Sequence, residues 1–202
     1  MSSTPKTSKK TRAVKIIAKQ EIFKKAIFRV EQVRFKHELF NGEMSEEIVR
    51  LNLDRGDSTA AVIYNEVDGT IILTEQFRYP TYEKGQGWLL ELPAGVVEKG
   101  EEPIKTMRRE LEEEIGFTVN SLAPIGIFYL SPGGTSERIH LFYVNVTNHN
   151  QTSAGGGLES EGENIRRVTI KAQDALQKIR TGEICDAKTI IGLQWLQINQ
   201  KI

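Results

Sequence analysis

Three carboxylates, Glu110, Glu113 and Glu114, fall close together in a segment whose apolar residues recur at helical spacing. Projected at about 100° per residue, Ile104, Met107, Leu111 and Ile115 share one narrow face, the one expected to be buried. Glu110 and Glu114 are four apart and lie together beside that face, with Glu113 flanking them. Carboxylates on one stripe repel each other unless something positive sits among them. Hard divalent cations such as Mg²⁺ suit this arrangement, because they take oxygen ligands and bridge phosphates. Arg109 lies on the Glu113 side and can pair with it. An acidic run by itself is more often a solvated helix face. Here the surroundings are more specific. The turn Leu92-Pro93-Ala94-Gly95 precedes the helix, Gly100-Glu101 interrupts the intervening loop, Pro103 suits a first helical turn and Gly116 suits a helix stop.

The chain that must position these groups has 202 residues, 39% hydrophobic and 27% charged, enough for one domain or one domain with a small appendage. Lys and Arg total 27, as do Asp and Glu, and this balance argues against a dedicated nucleic-acid binder. One cysteine, Cys185, excludes an internal disulfide and a multi-cysteine zinc site. The three histidines lack metal-protease spacing. No apolar run reaches the roughly 18–20 residues of a membrane span, and the basic N-terminus is not followed by an apolar signal segment. A cytoplasmic protein without membrane or nucleic-acid partners is expected.

Residues 1–13 read as a disordered basic tail. Residues 14–57 read as a small β region, with short strands at 15–18 and 21–25, a longer one at 26–39 and a returning strand at 47–54. It is too short and charged to stand alone, so it is expected to pack on the main body or on another subunit. In the remainder, 58–202, strands are expected at 58–65 and 70–77, joined by the Asp68-Gly69 hairpin signal, and at 88–92, 117–129, 139–146 and 166–170. Helices are expected at 103–115, 172–181 and 187–199. Residues 148–164, with Gly155-Gly156-Gly157, read as a long mobile loop. Strands and helices mix without strict βαβ alternation, which predicts an α+β fold.

Residues 95–117 resemble the signature of the Nudix hydrolase family, G-x5-E-x7-R-E-U-x-E-E-x-G-U, where U is a bulky apolar residue. Gly95, Glu101, Arg109, Glu110, Leu111, Glu113, Glu114, Gly116 and Phe117 fill every specified position. The resemblance implies an α/β/α sandwich and hydrolysis of a nucleoside diphosphate linked to another moiety, assisted by Mg²⁺ or Mn²⁺. It makes Glu110, Glu114 and the Ala94 carbonyl metal ligands, with Glu113 close by and Arg109 orienting the carboxylates.

The likeness extends to the family's bacterial ADP-ribose pyrophosphatase branch, through Glu75-Gln76-Phe77-Arg78, Ser131-Pro132-Gly133-Gly134-Thr135-Ser136-Glu137 and the segment 187–197. Pro132, at its set distance beyond the signature's last position, Phe117, matches the branch's mark of ADP-ribose specificity. Residues 181–189 are similar to GDP-mannose hydrolases, which keeps that substrate as the alternative. Aligned with the family, Glu161 matches the general base and Glu163 an additional metal contact. Arg78 is expected to grip a phosphate. Glu137 either assists at the site or anchors its loop. Similar enzymes are homodimers that exchange the N-terminal region, from which Arg55 could reach the neighbouring site. A sensor that binds ADP-ribose without turnover is disfavoured, because the signature glutamates are intact.

Overall fold

The structure is a computed structural model that describes residues 11–199; most of the expected basic tail lies outside them. The described residues divide into two compact units.

The first unit runs to Arg55 and includes Gly133–Ser136. Alternating apolar and charged residues form three antiparallel strands in sequential order, β1 (Val14–Lys25), β2 (Phe28–His37) and β3 (Ile48–Asp54). The two short strands expected at 15–18 and 21–25 are one. Register shifts at Ile16/Ala18 and Glu21/Phe23 mark bulges that let β1 continue. The expected strand at 26–39 is broken at its start, where Ala26 takes φ 50° in the turn that reverses the chain. Gly133–Ser136 is stitched to β3 by Leu53 N–H to the Gly134 carbonyl (2.9 Å) and Ser136 N–H to the Leu53 carbonyl (3.2 Å).

The second unit holds the site. Its sheet has the order β10-β5-β4-β9-β8: β4 (Ser58–Asn65), β5 (Thr70–Phe77), β8 (Ala123–Tyr129), β9 (Arg138–Asn145) and β10 (Arg166–Lys171). Two short strands extend it, β6 (Trp88–Glu91) on β5 and β7 (Ala94–Val96) on β4. The β4–β9 pairing is parallel and the others are antiparallel. β4 is buried along its whole length, so its side chains alternate into two cores. Ala61 and Ile63 meet Met107, Leu111 and Ile115 of α2 (Pro103–Ile115), which follows the single turn α1 (Tyr79–Tyr82). Ala60, Val62 and Tyr64 meet α3 (Ala172–Thr181) and α4 (Ala187–Ile198) through Ala175, Leu176, Leu193 and Leu196. The result is the α/β/α sandwich that the sequence implies.

Two differences from the expected elements bear on function. Phe117 makes only an isolated bridge to Gln151, and β8 begins at Ala123. Residues 148–164 are not a loose loop: they contain two short 3-10 turns and are bonded closely to the end of α2.

Candidate active site

α2 begins at Pro103, whose missing N–H costs nothing in a first turn, and ends at Gly116 with φ 73°. Met107, Leu111 and Ile115 are fully buried, and this fixes the rotation of the acidic stripe. Glu110 and Glu114 are thereby carried into the protein, at 8% and 1% exposure. Burial pushes the Glu110 carboxyl up to about 7; Glu113 and Glu163 add to the rise and Arg109 opposes it. Burial likewise raises the Glu114 carboxyl well above its ordinary range, with Glu110 and Glu163 adding to it. Its Oε2 accepts the Ala94 N–H at 3.1 Å, a contact that favours its charged form.

Arg109 lies between the other two glutamates. It donates to Glu113 Oε2 at 2.7 Å and stands 2.8 Å from Glu110 Oε1. Gly95 makes room for this arrangement. A Cβ there would sit 2.1 Å from the Glu110 carboxyl carbon, so only glycine lets β7 pass this close to the acid.

The segment 152–157 closes the other end. Thr152 and Ser153 N–H groups bond the Gly116 carbonyl, Gly156 N–H bonds that of Glu114, and Gly157 N–H bonds that of Glu113. Arg167 takes the Ile115 carbonyl at 2.8 Å. These are the carbonyls a helix end leaves without partners. The loop therefore caps α2, and its glycines serve contact more than mobility. Gly157 has φ 81°, and a Cβ there would meet Glu163 Oε2 at 2.6 Å. Glu163 in turn accepts the Leu158 N–H at 3.0 Å. Gly157→Ala is expected to lower kcat/KM by roughly 10- to 100-fold, because both the φ and the Glu163 carboxylate must shift. Steady-state kinetics beside a melting curve check this; an unchanged kcat/KM would show that the cap does not place Glu163.

The other residues singled out in the sequence divide as follows. Glu161 ends the second 3-10 turn (Glu159–Glu161), and its side chain lies outside the described residues. Arg78 follows β5 and donates Nε to Glu91 Oε1 at 2.7 Å. Glu137 is buried and accepts the Ser58 hydroxyl at 2.7 Å. Arg55 belongs to the first unit, its guanidinium 6.0 Å from the Phe28 ring centre. Sequence reasoning passed over Glu91, and it noted Asp186 and Lys188 only within the stretch similar to GDP-mannose hydrolases; the three form a buried charged network with Arg78. The available signals were an acid within the apolar run 88–92 and Asp186 three residues before Thr189, an N-cap spacing.

The donor set fits a hard divalent cation. Two buried carboxylates whose charge is poorly compensated by the protein invite a cation, and all the donors are oxygens. Among the described residues no three His, Cys, Asp or Glu side chains converge into a complete cage.

The NUDIX domain model matches residues 54–189, and the chain belongs to the Nudix family. It is 37% identical over 191 residues to a protein of Escherichia coli strain K12 named ADP-ribose pyrophosphatase, covering 93% of this chain and 90% of the relative. A Haemophilus influenzae protein of the same name is 38% identical over 190 residues, covering 92% and 87%. The GDP-mannose pyrophosphatase of Shigella dysenteriae is 36% identical over 151 residues, covering 74% and 78%. A crystal structure of an ADP compounds hydrolase superposes with a TM-score of 0.70 at 20% identity, over 96% of this chain and all of that one, which shows the shared fold.

Proposed function

We propose that this Nudix hydrolase cleaves the diphosphate of ADP-ribose by attack of water on phosphorus, giving AMP and ribose 5-phosphate. The observation that carries the substrate is agreement over 93% of the chain with a relative named ADP-ribose pyrophosphatase, against 74% for one named for GDP-mannose. GDP-mannose remains the second reading on the strength of that 36% identity.

Glu110, Glu114 and the Ala94 carbonyl would hold Mg²⁺, or Mn²⁺ in its place, with Glu163 as a further contact. The bound ion would neutralise the diphosphate and lower the pKa of a coordinated water. Arg109 keeps Glu110 and Glu113 apart and oriented. Glu161 takes the proton from the attacking water. Arg78 holds the diphosphate through its terminal nitrogens. Glu137, which accepts the Ser58 hydroxyl, is a further substrate contact at the site or the anchor of the SPGG loop. Hydrolysis in ¹⁸O-labelled water tests the reaction: the label is expected in one phosphate monoester product, and label in neither would exclude attack of water on phosphorus.

We also propose a homodimer built on the first unit. In the single chain, Val14, Ile16, Phe23 and Ile27 of its sheet and first turn are each about half exposed or more, a large apolar surface for a free monomer. Arg55 would reach the partner's substrate from this unit. Sedimentation is expected to give twice the single-chain mass for the native protein and the single-chain mass for Phe23→Glu; a monomeric native chain would contradict the assignment. We place the protein in the cytoplasm, where reducing conditions suit the free thiol of Cys185. No helix among the described residues is long and apolar enough to cross a membrane.

A further inference from the structure

Beneath Arg78 lies a charged network that none of the preceding roles uses. Glu91, at the end of β6, is 2% exposed, yet both its oxygens are engaged. Oε1 accepts the Arg78 Nε at 2.7 Å, and Oε2 accepts the Lys188 Nζ. Lys188 is 7% exposed, and its Nζ also stands 3.1 Å from Asp186 Oδ2. That oxygen caps α4, taking the Thr189 N–H at 3.0 Å and the Thr189 hydroxyl at 2.6 Å. The Thr189 hydroxyl oxygen accepts the Leu92 N–H at 2.9 Å, which returns the chain of bonds to the end of β6.

The network joins two acids and two bases brought together from distant parts of the chain. Buried ion pairs of this kind add little stability over apolar packing of the same shape. What this one does is fix an arginine by its inner nitrogen. Among the described residues, no hydrogen bond is found from the two terminal nitrogens of Arg78. With Nε held, the planar guanidinium keeps one orientation, and those nitrogens form a fork suited to two phosphate oxygens.

We propose that Glu91 is a positioning residue for substrate binding: braced by Lys188 and the capped start of α4, it holds Arg78 as a preset diphosphate clamp. The inference rests on Arg78 as a phosphate ligand, and the experiment separates the two claims. Steady-state kinetics on ADP-ribose with saturating Mg²⁺ would compare the native chain with Glu91→Gln, Arg78→Lys, Arg78→Ala and the double variant Glu91→Gln/Arg78→Ala. Melting curves would accompany each.

Glu91→Gln and Arg78→Lys are expected to raise KM about tenfold with little change in kcat, the scale of one charge-assisted hydrogen bond. The double variant is expected to match Arg78→Ala alone, because the Glu91 effect passes through Arg78. A fold lesion would instead add to the Arg78→Ala loss in KM, and this additivity rather than the melting temperature is the mark of it, because removing one partner of a buried ion pair is itself destabilising. A normal KM in Glu91→Gln beside a raised KM in Arg78→Ala overturns the positioning role, as does additivity in the double variant. A normal KM in Arg78→Ala overturns the phosphate-ligand reading itself. Should Glu91→Gln fail to fold, the half-exposed Arg78→Lys still decides. Lysine keeps the charge but cannot be gripped at one nitrogen while presenting two others, so a native KM there overturns the proposal.

Discussion

Glu114→Gln is expected to abolish nearly all turnover and to make the metal-free protein more stable. Gln keeps the shape and can still accept the Ala94 N–H, which reaches Glu114 Oε2 at 3.1 Å in the native chain. It cannot carry the negative charge that a divalent cation needs. Loss of a metal ligand of this kind is expected to lower kcat/KM by about 10³-fold or more. The gain in stability follows from the burial of two acids. Glu110 is pushed up to about 7 and Glu114 well above its ordinary range, both chiefly by burial. Groups raised in the folded state bind protons more tightly there than in the unfolded chain, so stability falls as pH rises from about 4.5 through the folded-state values. In EDTA, native protein should therefore melt progressively lower between about pH 5 and pH 8. Glu114→Gln should lose less stability over that range, because it removes one of the two acids whose charged form burial disfavours. Calorimetry in EDTA checks this. A native melting temperature that is flat with pH, or a variant no more stable at the alkaline end, would mean that the acids are not held against their charge.

Glu161→Gln is expected to retain metal binding and KM while lowering kcat by about 10²- to 10⁴-fold, the contribution of a general base. The matching change Glu163→Gln is expected to weaken Mg²⁺ instead. In the native chain the Glu163 carboxylate accepts the Leu158 N–H at 3.0 Å and lies close enough to Glu110 and Glu114 to raise both. The discriminating measurement is kcat as a function of Mg²⁺ concentration. Recovery of Glu163→Gln at high Mg²⁺, with no recovery of Glu161→Gln, supports the division of labour. The reverse pattern exchanges their roles.

The acidic helix was legible because its end signals and its apolar spacing lie within residues 95–117. Pro103 and Gly116 mark its ends, and the spacing of Met107, Leu111 and Ile115 sets which way the glutamates face. The sheet strands were legible where β-rich runs met turn residues, as in β4 and β5 about Asp68-Gly69. The bulged continuity of β1 was not, because the register shifts at Ile16/Ala18 and Glu21/Phe23 break the alternation a reader counts. Gly155-Gly156-Gly157 suggested mobility, since nothing local shows that Gly156 and Gly157 N–H groups bond the carbonyls of Glu114 and Glu113, far back in the chain. Glu91 and Lys188 are also distant in sequence, and a pair so far apart leaves no mark in either segment.

The most direct test of the central claim is turnover of ADP-ribose and GDP-mannose by the purified chain, each with and without Mg²⁺, read as released phosphate after phosphatase coupling. Metal-dependent turnover with kcat/KM higher for ADP-ribose is predicted. Preference for GDP-mannose would leave the metal chemistry in place and contradict the substrate. Tight ADP-ribose binding with no turnover of either would contradict the enzyme itself.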